Sequence, residues 1–129
     1  MVLFGSIVGY QGTPRAAHHA ATKAYVQTLC EGLHLELRSS GVDVLVSSPG
    51  PVHTGFAATA GMTMARAMRP QDVAVATLAA LGRRTTVTPG GLSTLWTWSL
   101  ATLPRNARTR VMAQVVAAMT DADCRPMLR

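Results

Sequence analysis

Apolar positions fall into two patterns along the chain, short unbroken runs and longer stretches with a three- to four-residue repeat. The runs are MVLFGS (1–6), VDVLVSS (42–48) and TTVTP (85–89), bounded by Gly or Pro and rich in valine or threonine, which predicts three short buried strands. Between the first two lies a helix expected over 16–39, where Val26, Leu29, Cys30, Leu33 and Leu37 form one apolar stripe that Gly41 terminates. Pro70 opens a second helix, expected through Leu81. GLSTLWTWSLATLP (91–104) and RNARTRVMAQVVAAM (105–119) follow as two more helices, separated at Pro104. Segments 7–15 and 49–56 carry the glycines and prolines of loops.

Strand, helix, strand, helix, strand is the order of a parallel sheet with crossover helices. The expected fold class is therefore α/β, a partial Rossmann-like sheet of about three strands with a helical C-terminal tail. Residues 1–90 are expected to form the C-terminal half of such a domain and 91–129 a helical extension. Three strands leave a bare edge, which is an association hazard and the mark of a larger sheet. Met1 falls inside or beside a strand whose neighbours are missing, so a truncated homologue is expected, whether from a misplaced start, a frameshift or a short product.

Composition narrows the function. With 48% apolar residues the chain is globular rather than disordered. Lys and Arg number 12 against 6 acids, a net charge of +6, but the arginines are scattered from position 15 to the C-terminus, so no nucleic-acid partner is expected. Cys30 and Cys124 give neither a disulfide framework nor metal spacing, and no metal site is expected. His18 and His19 point about 100° apart on a helix, a poor pair of ligands. With two cysteines outside any disulfide framework a reduced, cytoplasmic setting is expected; residues 1–15 do not read as a signal peptide and no apolar run approaches the roughly 20 residues of a membrane span.

Candidate chemistry gathers around Ser6, His19 and Lys23. Ser6 ends the first strand, and His19 and Lys23, four residues apart, share a helix face. A crossover helix packs on its own sheet, so hydroxyl, imidazole and ammonium can meet at the carboxyl ends of the strands, where open α/β sheets bind ligands.

GSIVGYQGTP, HHAATKAYV and VSSPGPVHT, in that order and spacing, make the chain resemble the short-chain dehydrogenase/reductase family over residues 2–118. By that resemblance Ser6 is the substrate-orienting serine and Lys23 the lysine of Tyr-x-x-x-Lys, while Pro49, Gly50, Val52 and Thr54 lie on the loop that contacts the nicotinamide end of NAD(P). The resemblance implies NAD(P)-dependent interconversion of an alcohol and a ketone, a small-molecule substrate and a homo-oligomer. In the family a tyrosine carries the proton, and the lysine lowers its pKa from about 10. Here His19 stands in the tyrosine's place. Lys23 would depress an imidazole's pKa, which leaves little acid at neutral pH. The glycine-rich turn that seats a pyrophosphate belongs to the half not represented, so cofactor binding is expected to be weak and turnover impaired or absent.

An alternative from another class is a non-catalytic interaction module that docks on a full-length relative through helix 16–39. Trp96 and Trp98, with arginines following, could also place 91–110 at a membrane interface; the simpler expectation is that this stretch covers the sheet or a substrate entrance. Leu29, Leu33 and Leu37 are expected in the core.

Overall fold

Val44, Leu45, Val46, Ser47 and Ser48 are all at most 1% exposed, which makes this segment the centre of the computed structural model. The structure describes residues 1–61 and 66–119; Cys124 and residues 120–129 of the expected extension lie outside these. The sheet has three parallel strands in the order β1 (Val2–Phe4), β2 (Leu45–Ser47) and β3 (Thr86–Val87). Val2 is in register with Leu45 and Phe4 with Ser47 on one side of β2, and Val46 with Thr86 on the other. A middle strand covered on both faces has no need of polar alternation, which is why its sequence is a continuous apolar run.

Helix α1 (Ala17–Glu36) covers one face of the sheet. Cys30, Val44 and Val46 form its buried contact, with Leu3, Val26, Leu33 and Leu37 packed around them. The other face belongs to α3 (Pro70–Ala80), where the Ser47 and Thr77 hydroxyls lie 2.8 Å apart in a buried hydrogen bond. Alternation along β2 thus sends Val46 to α1 and Ser47 to α3.

The structure is α/β with a partial parallel sheet, as expected, and differs from the sequence reading in its details. The long helix ends three residues early and tightens into a 3-10 turn at Arg38–Ser40, with Gly41 in the left-handed region (φ +70°) as the stop. Leu29 is not core: it is 40% exposed, because the stripe that faces the sheet is defined by Cys30 and its neighbours at Val26, Leu33 and Leu37. The expected loop 7–15 contains a 3-10 turn at Ile7–Tyr10, and the loop 49–56 runs into a short helix α2 (Gly55–Thr59).

Beyond β3, Gly90 at φ +89° turns the chain into α4 (Gly91–Ala101), and α5 (Arg105–Met119) follows. The Thr94 hydroxyl donates to the Thr88 carbonyl at 3.0 Å, which ties α4 to the end of β3. Leu100, Met112 and Val116 are the buried residues of this helical pair. The segment after the 3-10 turn at 7–10 lies close to α5, where a β-carbon on Gly12 would sit 3.4 Å from the Thr109 hydroxyl.

Candidate active site

The carboxyl ends of β1 and β2 continue side by side past the strands. The Gly5 amide donates to the Ser47 carbonyl at 2.8 Å and the Ile7 amide to the Pro49 carbonyl at 3.2 Å. This extended pairing sets Ser6 beside the Pro49–Gly50 loop. The Ser6 hydroxyl donates to the Pro49 carbonyl at 3.5 Å and accepts from the Val8 amide at 3.4 Å. Both contacts are long for a hydroxyl, so the oxygen is weakly committed and can exchange them for a ligand. Ile7 Cδ1 and the Ser93 side chain at the start of α4 crowd Gly50, where they occupy the direction a β-carbon would take.

Lys23 reaches this end of the sheet from α1. Its ammonium donates to the Phe4 carbonyl at 3.0 Å. Along β1 the groups of Met1 and Gly5 pair with β2, so those of Phe4 point to the outer edge, and Lys23 covers one of them. An ammonium has three donors, which leaves two beyond this contact.

His19 lies one turn before Lys23 on α1. Its ring stacks on Phe56 of α2, with centroids 5.4 Å apart and planes at 29°. Burial pushes the imidazole pKa below its usual value, and the Lys23 ammonium and then His18 push it further down. The Lys23 charge expected from the sequence is one cause; the larger is desolvation. Tyr25 is 67% exposed on α1, and Tyr10 belongs to the 3-10 turn at 7–10.

The sequence reading missed the residue that fixes the site. Gln27 is buried, and its amide donates both to the Ser6 carbonyl and to the Ser48 hydroxyl at 2.8 Å. One side chain of α1 thereby clamps the ends of β1 and β2 together. The available signal was a polar residue four after Lys23 and three before Cys30, within the buried face of the helix. Glycine permits the close approach: a β-carbon on Gly5 would lie 2.6 Å from the Ser48 hydroxyl and 2.9 Å from Gln27 Cγ.

Ser6, Lys23, Pro49 and Gly50 therefore come together at one end of the sheet. Val52 and Thr54 have additional local duties. Val52 bridges Met68 in parallel fashion: Met68 donates to the Pro51 carbonyl and accepts from the His53 amide, both at 2.9 Å. In such a bridge Val52's own amide and carbonyl face away from Met68. The Thr54 hydroxyl caps α2 by accepting from the Phe56 amide at 3.4 Å. A weakly held hydroxyl, two further ammonium donors and an outward backbone amide make a donor set whose chemistry suits the nicotinamide end of a dinucleotide.

A family model described as short chain dehydrogenase matches residues 1–65. An uncharacterised oxidoreductase of Staphylococcus aureus is 41% identical over 81 residues, which is 63% of this chain and 35% of the relative. A 7β-hydroxysteroid dehydrogenase of Clostridium sardiniense is 32% identical over 96 residues, 71% of this chain and 37% of the relative. The chain thus spans about a third of the length of these curated relatives. Among solved structures, a short chain dehydrogenase of Burkholderia cenocepacia in complex with NADP superposes with a TM-score of 0.72 at 26% identity, covering 86% of this chain and 46% of that one. A short-chain dehydrogenase of Sphingobium yanoikuyae in complex with NADPH gives 0.60 at 27% identity, covering 99% and 48%.

Proposed function

Because the chain belongs to the short-chain dehydrogenase family, we propose that it carries the substrate- and nicotinamide-facing half of an NAD(P)-dependent alcohol/carbonyl oxidoreductase pocket in which proton transfer is impaired. The observation that carries this reading is the meeting of Ser6, Lys23 and the Pro49–Gly50 loop at the carboxyl ends of β1 and β2, with an imidazole one turn from the lysine. Ser6 orients a substrate oxygen through its weakly held hydroxyl. Lys23 offers two donors to the cofactor's polar groups, and Val52 offers a backbone amide. When bound, a nicotinamide dinucleotide supplies or accepts the hydride.

The proton is the weak step. An ammonium beside a phenol stabilises the phenolate and makes tyrosine a usable acid–base group near neutral pH. Burial of the imidazole favours the neutral ring, and the same ammonium beside it adds to this. His19 is therefore a poor acid above pH 6.5.

Two measurements test the reading. Titration with reduced nicotinamide mononucleotide, followed by amide NMR, is expected to shift Ser6, Lys23 and Gly50 to Thr54 and to leave residues on α3 unmoved. Carbonyl reduction with NADPH is expected to be at least about 100-fold slower in the wild type than in His19→Tyr, the scale of a lost acid–base group. Ligand shifts confined to other surfaces would sink the proposal, as would wild-type turnover equal to measurable His19→Tyr turnover.

A second reading is a docking module that pairs with a complete family member through α1. It is favoured by Tyr25 (67% exposed) and Leu29, which with Thr28, Gly32, Leu33 and Glu36 line a groove of about 310 Å³. Co-purification with a full-length homologue, without turnover, would select it.

A further inference from the structure

Helix α4 presents its large apolar side chains outward. Leu92, Leu95, Trp96 and Trp98 are 52%, 66%, 40% and 73% exposed, and Leu103 just beyond the helix is exposed as well. The inward arc is made instead of Ser93, Thr94, Thr97 and the buried Leu100. Thr94 and Thr97 spend their hydroxyls on carbonyls of β3's end and of α4 itself. The tryptophans therefore face away from the sheet, and only the inward arc of this stretch meets the end of β3 and the Gly50 loop. No charged residue occurs within Gly91–Ala101, so this face lacks the solvated charges of an ordinary surface helix.

Positive charge adjoins it. Arg105, Arg108 and Arg110 open α5 directly after Pro104. The Arg108 guanidinium turns back to donate to the Leu103 and Ala101 carbonyls at 2.7 and 2.8 Å, which anchors a cation at the end of α4. Residues 85–120 contain no Asp or Glu, while the three arginines of that span, at 105, 108 and 110, all lie at the start of α5. The acids of the described residues sit elsewhere: Glu31 and Glu36 on α1, Asp43 before β2 and Asp72 on α3. An anionic surface with an apolar interior satisfies both halves of the patch.

We propose that the outer face of α4, with the arginines of α5, seats on an anionic membrane surface. The tryptophans lie at headgroup level and Leu92 and Leu95 enter the acyl boundary. Among the described residues no helix is long and apolar enough to cross a membrane, so the contact is peripheral. It does not depend on turnover.

The chain holds two tryptophans, both on this helix, so intrinsic fluorescence reports on the patch directly. With phosphatidylglycerol/phosphatidylcholine vesicles, tryptophan emission is expected to shift to the blue and to be quenched by brominated acyl chains. The effect is expected to fade with pure phosphatidylcholine and as salt rises to about 1 M. Arg105→Gln and Arg110→Gln are each expected to lower partitioning about fivefold, from the contribution of one basic residue near such a surface. Leu95→Ser with Trp98→Ser, both highly exposed, is expected to abolish quenching of Trp96 while preserving the circular dichroism of the fold. Absence of any shift or quenching in the unaltered protein overturns the proposal. So does equal binding to neutral vesicles, and so does a blue shift that grows with protein concentration without lipid alongside a doubled mass, which would assign the face to a second copy.

Discussion

His19 shows how one residue's neighbours decide its chemistry. Its pKa is lowered in the folded protein, first by burial and then by Lys23 and His18. The unfolded chain, with an imidazole near 6.5, therefore takes up the proton first as pH falls. Stability contributed by the neutral ring is present above about pH 6.5 and is lost as pH falls through the lower folded value. Urea unfolding at pH 7.5 and 5.5 is expected to show the wild type losing stability relative to His19→Phe over this interval; an NMR titration with the His19 ring at or above 6.5 would contradict the cause. Gly9 is decided by space. A β-carbon there would lie 2.9 Å from the Ala24 amide nitrogen and from the Lys23 carbonyl carbon, both backbone atoms that cannot step aside. Gly9→Ala is expected to cost about 2 kcal/mol in denaturant unfolding. Gly55→Ala, with open space around it, is expected to be neutral or slightly stabilising.

At the scale of elements, α1 binds the two strand ends into one unit. It does so with Gln27 at the carboxyl ends and with His34 near the other end, where the ring Nδ1 lies 2.9 Å from the Val44 carbonyl. Gln27→Leu removes two hydrogen bonds and leaves the Ser48 hydroxyl buried without that donor. An expected loss of about 2 kcal/mol follows from the cost of such a group. Amides of Gly5 to Val8 are expected to exchange faster in this variant, which hydrogen–deuterium exchange reads, since the Ser6 segment loses its tie to the helix. The helix itself was legible from its repeat. Its clamp was not, because a glutamine in an apolar stripe has the same spacing whether it meets solvent or a hydroxyl.

For the whole molecule, the open side of β1 matters most. Val2 and Phe4 turn their backbone groups outward, and the Phe4 side chain is 55% exposed. The curated relatives are about three times as long as the matched segments, as coverage of 35% and 37% shows. An unpaired parallel edge offers a template to another strand. The protein is expected to exceed 13.6 kDa by light scattering at tens of micromolar. Val2→Pro, which removes an outward N–H and no ladder bond, is expected to shift it toward monomer. A monodisperse 13.6 kDa species in the unaltered protein would contradict this use of the edge.

The sequence alone determined the alternation of strands and helices, the parallel α/β class and the family likeness. Each of these depends on period and local spacing, which are properties of neighbours in the chain. Placement of side chains from distant segments required the fold. It brought Gln27 onto Ser6 and Ser48, Phe56 onto His19, and Ser93 against Gly50, contacts between residues far apart in the chain. It also turned Leu29 and the tryptophans outward, because which part of an apolar helix meets the core depends on the surface opposite it.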